Sequence, residues 1–159
     1  MKVLTIRNAV IAGAIAIAAA IVPAMSASAT GNTYTPYCSN IIITAKNTNN
    51  FDSLSYPSTA SYCLVQYGIA SDAGDGANEL VYNGPVDGAL GVNSWKSIPA
   101  SMHHWAGCTG PIDGVPGTNT YKAMQRYAQL YGYTGPVDGV LGSHSWRYFT
   151  ERIAKEYIW

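Results

Sequence analysis

The chain is 159 residues long, with nine basic and nine acidic side chains, three cysteines, and twelve tyrosines among its aromatic residues. Lys and Arg form no run, so the clustered charge that a phosphate backbone demands is missing, which argues against nucleic acid as the main partner. Neither a Gly-x-Ser-x-Gly nucleophile elbow nor a glycine-rich phosphate loop closing on Lys-Ser or Lys-Thr occurs.

Residues 1–29 read as a secretory signal peptide. Lys2 and Arg7 make the positive start, Ala9 to Val22 the apolar centre, and Ala27-Ser28-Ala29 a small-residue cleavage site. The alternative is an uncleaved anchor, which Pro23 and the cleavage flank disfavour. Removing the segment leaves Thr30–Trp159, seven basic against nine acidic groups and a net charge of −2. That length suits one small domain. No second apolar stretch approaches a membrane span, so a secreted or cell-wall-associated protein free of the membrane after cleavage is expected.

Residues 30–59 are rich in Asn, Thr, Ser and Tyr around one apolar island, Ile41-Ile42-Ile43. They read as an irregular, extended N-terminal arm holding one short strand. Tyr56-Pro57-Ser58-Thr59 looks like a helix entry, because Pro disfavours helix before it and a hydroxyl can cap the first turn after it. The helical domain is then expected over 60–159. Its first helix spans Ser61 to Ala70, with Tyr62, Val65 and Ile69 on one face. A polar loop occupies Ser71 to Gly76, and Asn78 to Tyr82 leads out of it.

The remainder of the chain is built on a repeated string. Gly84-Pro85-Val86-Asp87-Gly88-Ala89-Leu90-Gly91-Val92-Asn93-Ser94-Trp95 returns as Gly110-Pro111-Ile112-Asp113-Gly114-Val115-Pro116-Gly117-Thr118-Asn119-Thr120-Tyr121. It returns again as Gly135-Pro136-Val137-Asp138-Gly139-Val140-Leu141-Gly142-Ser143-His144-Ser145-Trp146. The starts lie 26 and 25 residues apart, so one supersecondary unit is used three times. Pro presets φ, and Asp-Gly supplies the position where φ turns positive. The aspartates Asp87, Asp113 and Asp138 can accept backbone N–H bonds that a tight turn leaves open. Aliphatic residues in the turn act as plugs into a core. The small hydroxyl residue before an aromatic fits the first turn of a helix.

Each string leads into an apolar rhythm of helical spacing: Trp95, Ile98, Met102 and Trp105; then Tyr121, Met124, Ala128 and Tyr131; then Trp146, Phe149, Ile153 and Tyr157. Pro99 is read as lying near the start of its helix, where it is tolerated. The fold class is therefore all-α, a small bundle of short helices joined by pinned Gly-Pro-x-Asp-Gly turns. Export favours a disulfide. Cys38 with Cys63 would tie the arm to the first helix, worth about 3 kcal/mol by loop entropy, although spacing alone does not fix the pairing among three cysteines.

Leu130-Tyr131-Gly132-Tyr133-Thr134-Gly135-Pro136-Val137-Asp138-Gly139-Val140-Leu141-Gly142, followed by Ser145, resembles the peptidoglycan-binding-like domain family. Its hallmark is a helix, Gly-Tyr, Gly-Pro-Val-Asp-Gly-x-x-Gly, and a hydroxyl residue opening the next helix. The match is best over Tyr121 to about Ala154. Val65-Gln66 stands where the family usually has Leu-Gln. Departures are Tyr127-Ala128 and Arg152-Ile153 in place of Phe-Gln, Pro116 in place of an aliphatic plug, and an insert from Ala70 to Leu80. The resemblance implies a three-helix fold and non-covalent association with bacterial cell-wall glycan or its stem peptides, and the chain is read as a binding module without catalysis.

No cofactor is called for. The three aspartates could pose as glycosidase carboxylates, but one turn role explains all of them, and one Asp per loop is too few for calcium. His104 and Cys108 could share a metal if the helix ran that far, but His144 is the one other imidazole available besides His103, so no metal site is expected. The ligand contacts expected from residue type and resemblance are Tyr131, Tyr133, Trp146 and Asn83, with aromatics giving flat apolar area and Asn83 a hydrogen-bonding amide. Two other classes remain open: a small wall hydrolase using the turn carboxylates, and an extracellular interaction or inhibitor module on the same scaffold.

Overall fold

The computed structural model describes residues 32–72 and 82–158. Residues 1–29, expected to be a signal peptide, lie outside these residues, as does most of the expected insert from Ala70 to Leu80. Among the described residues the chain is all-helical: α1 Pro36–Thr48, α2 Thr59–Ser71, α3 Val92–Ala106, α4 Thr118–Gln129 and α5 Ser143–Ile158. No described helix is long and apolar enough to cross a membrane.

Helices α2 to α5 pack as a closed ring, α2 on α3, α3 on α4, α4 on α5 and α5 back on α2, with α1 laid against α2. The sequence makes the ring with one register. The seventh residue of each ring helix (Val65, Ile98, Met124, Phe149) is fully buried, and so, to within 1%, is the eleventh (Ile69, Met102, Ala128, Ile153). Positions four, seven and eleven share one face of a helix. At the crossing of α2 and α5, Gly68 lies against the Ile153 side chain and carbonyl. The Tyr127 hydroxyl donates to Glu156 and joins α4 to α5. Arg126 on α4 donates to the carbonyls of Ala106 and Gly107, at 2.7 and 3.1 Å, and so closes the C-terminal end of α3.

The arm departs from the sequence reading. Residues 36–48 are helix, and Ile41-Ile42-Ile43 lies within it rather than in a strand. Thr35 caps it by accepting from the Cys38 N–H, and Pro36 occupies the first helical position, where its missing N–H costs nothing. Ile42 and Cys38 are buried, and Cys38 is bonded to Cys63 of α2. Burial and the covalent tie override the weak helix propensity of this Asn- and Thr-rich run. Asn32 to Thr35 runs alongside the first turn, with a parallel bridge from Tyr34 to Val86.

Two further boundaries differ. Pro99 is the eighth residue of α3, so it sits in the helix interior and not at its start. Tyr131 lies past the end of α4, and Cys108 lies past Gly107, which caps α3. His104 and Cys108 therefore do not sit four residues apart on one helix. The entry to α2 has the anticipated form: Ser58 and Ser61 cap each other reciprocally.

Candidate functional site

The three turns share one construction. Gly88, Gly114 and Gly139 take φ of +80°, +86° and +84°, a region open to glycine at little cost. In each turn an Asp Oδ1 accepts the N–H two residues on: Ala89 to Asp87 at 2.9 Å, Val115 to Asp113 at 2.8 Å, Val140 to Asp138 at 2.9 Å. The turn glycine then rests on the first residue of the preceding helix, Thr59, Val92 or Thr118.

A glutamine eight residues into the helix clamps two of the turns. Gln66 accepts from the Asp87 and Gly88 N–H groups at 3.0 and 2.7 Å, and donates to Asp87 Oδ1 and the Ala89 carbonyl. Gln125 accepts from Gly139 N–H at 2.8 Å and donates to Asp138 Oδ1 and the Val140 carbonyl. Both side chains are fully buried. The Gln125 amide, with the Val140 N–H behind it, holds the Asp138 carboxyl below its ordinary value. The position matching these glutamines in α3 is Pro99, so the middle turn has no such clamp. A tyrosine also braces the outer turns: Tyr82 donates to the Pro85 carbonyl and Tyr133 to the Pro136 carbonyl. In the middle turn the corresponding residue is Cys108, which is buried and unbonded to another cysteine.

These contacts place the residues selected from sequence. Tyr133 is 7% exposed, tucked beneath Gly135 and packed on His144 and Tyr148. Tyr131 meets Lys155 near the far end of α5, and its ring lies 4.8 Å from the ammonium. Trp146 is 6% exposed. Asn83 is exposed at the first turn. Tyr133 and Trp146 therefore sit at the start of α5 and Tyr131 near its other end, with no ring contact among the three within the described residues.

Trp146 belongs instead to a different assembly. The fourth residue of every ring helix is aromatic: Tyr62, Trp95, Tyr121 and Trp146. Ring closure brings these four together. Trp146 lies 5.5 Å from Tyr62 and 6.3 Å from Trp95, and Trp95 lies 6.2 Å from Tyr121, in tilted or edge-on geometry. Trp146 is the buried base, while Tyr62, Trp95 and Tyr121 are half-buried and keep part of their surface open. Burial pushes the Tyr62 hydroxyl above its ordinary pKa, and the Tyr121 phenol adds to the shift. The face therefore offers three amphipathic rings over an aromatic floor. Its signal in the sequence is the aromatic immediately after the Ser or Thr of each helix opening.

Among the described residues, two clefts flank this end of the ring helices. One of about 360 Å³ lies between the first turn and the start of α3, lined by residues that include Asp87, Leu90 and Asn93. The other, about 300 Å³, lies between the 52–56 segment and the start of α5, lined by Tyr56, His144 and Arg147 among others. Arg147 there pairs with Asp52 and Glu151. No group of three or more His, Cys, Asp or Glu side chains with metal-binding spacing occurs among the described residues.

Comparison of the chain with protein-family models, curated proteins and solved structures gave no match.

Proposed function

We propose that this chain is an exported, non-catalytic module that binds bacterial cell-wall glycan on the Tyr62–Trp95–Tyr121 face. The observation carrying the reading is the convergence of four helix-opening aromatics, three of them left partly open. Sugar rings present C–H faces that pack on flat aromatic area, and the two phenols supply hydrogen bonds at the rim. The triplicated turn and its resemblance to peptidoglycan-binding-like domains favour a wall polymer as the ligand. Export is supported by the signal-like first 29 residues and by the Cys38–Cys63 disulfide, a bond typical of oxidising compartments. A binding role without chemistry is supported by the engagement of Asp87 and Asp138, whose carboxylates are each held by a glutamine amide and a backbone N–H.

Sedimentation with insoluble peptidoglycan tests this. The mature protein should pellet with the wall, and Trp95→Ala and Tyr121→Ala should weaken binding by about tenfold, on the order of 1.4 kcal/mol. Tyr37→Ala, altering an exposed aromatic on α1, should not change it. Wild-type protein left in the supernatant like an unrelated control refutes the reading, and clearing of a wall-embedded gel that Asp138→Asn abolishes would make it a hydrolase.

A further inference from the structure

The three turns are built alike, yet they differ in what covers the aliphatic residue before the aspartate. In the first turn that residue, Val86, is fully buried. Its N–H donates to the Thr33 carbonyl at 2.8 Å, and its carbonyl accepts from the Thr35 N–H at 3.1 Å. The extended arm brackets it as a parallel strand would. In the middle turn the corresponding residue, Ile112, is 42% exposed, and no β-bridge is made to it among the described residues. Val92 and Val115, on either side of Gly114, are 59% and 71% exposed. The two turns share the glycine φ and the Asp-to-N–H bond, and the position that the arm covers at Val86 is exposed at Ile112.

We propose that the middle turn is a docking site for an extended, uncharged segment of another polypeptide, bridged to Ile112 as the arm is bridged to Val86. The chain itself supplies the template for the occupant: a Thr-Tyr-Thr stretch whose carbonyl and N–H bracket the turn residue. Area argues against a second copy of the whole chain. Three apolar side chains fall far short of the roughly 800 Å² per partner of a stable protein interface, whereas backbone pairing with a short strand needs little area. The arm residues that bracket Val86 carry no charge, and the occupant is taken in their likeness as an uncharged segment. This site is separate from the aromatic face and stands or falls without it.

The probe is a blocked hexapeptide of the arm sequence Asn-Thr-Tyr-Thr-Pro-Tyr, titrated into the full mature protein and followed by amide and methyl NMR. Saturable shifts are expected at Ile112, Val92 and Val115. Ile112→Asp and, separately, Val115→Asp should weaken binding at least tenfold while leaving the folded spectrum intact. N-methylation of the second Thr, which removes the donor to the Ile112 carbonyl, should abolish it. The proposal is overturned by any one of four results: no shifts at the middle turn up to the solubility limit, shifts confined to the Val86 region, binding indifferent to N-methylation, or peptide-free self-association through this turn.

Discussion

Gln66 and Gln125 show how a single buried polar side chain can hold a loop. Each exchanges hydrogen bonds with both sides of its turn, and neither leaves a buried amide group unpaired. Replacing either by Leu should cost about 2–3 kcal/mol in urea unfolding, because turn N–H groups and an Asp oxygen lose their partner in a closed site. The middle repeat runs the same experiment in reverse. Pro99→Gln restores a helix N–H and offers the missing clamp, so it should raise stability by about 1 kcal/mol or more. A fall in stability would mean α3 depends on the proline. Asp138 adds a pH dependence. Its folded pKa lies below its ordinary 3.8, so its contribution is complete above that value and fades as pH falls through the lower, folded one. Unfolding followed from pH 6 downward should show stability declining below about pH 4, and Asp138→Asn should flatten that decline. Little of the clamp is legible in the sequence. Gln66 stands out through its family-like neighbour, but a glutamine amid a helix carries no periodic signal. Its meaning appears only once the turn folds back on position eight.

The helices of the ring are legible because period 3.6 places Tyr62, Val65 and Ile69 and their counterparts on one face, and those faces are the buried ones. What periodicity does not carry is where each helix starts. Trp95 opens the apolar rhythm of α3, yet the helix begins three residues earlier at Val92, which moves Pro99 from the entry into the interior. The arm misleads for a different reason. Three consecutive isoleucines have strand-like propensity, and the true cue is the pair Thr35-Pro36, a cap followed by proline at the first helical position. At the crossing of α2 and α5 the glycine is dictated by approach distance. A Cβ at Gly68 would lie 2.8 Å from Ile153 Cγ1 and 3.0 Å from its carbonyl oxygen, and the second of these is backbone that cannot swing away. Gly68→Ala should therefore destabilise by about 1–3 kcal/mol, despite the gain of up to ~1 kcal/mol that alanine brings to a helix. Thermal unfolding measures it, and a rise in Tm would show that the two helices slide apart freely.

For the molecule as a whole, the repeat supplies three turns for four ring helices, so closing the ring needs something else beside α5. The segment from Phe51 to Tyr56 fills that place: Asp52 pairs with Arg147, and Lys155 lies 5.2 Å from the centre of the Phe51 ring. Upstream, the extended arm covers the first turn at Val86, and the Cys38–Cys63 bond fixes α1 to α2. The aromatic positions recur along the chain after each helix-opening hydroxyl, but their convergence on one face is not legible there, because they stand in four helices and meet only when α2 returns to α5. The disulfide thus holds the cover and not the ring. Reduction, or the double substitution of Cys38 and Cys63 by serine, should cost about 3 kcal/mol. The loss should be local: hydrogen exchange should quicken in α1 and at Val86, while Ile98, Met124 and Phe149 stay protected. The proposed binding through Trp95 and Tyr121 should survive at temperatures where the ring is folded. If exchange quickens equally in α4 and α5, the covering helix is part of the cooperative core, and the division into ring and cover is wrong.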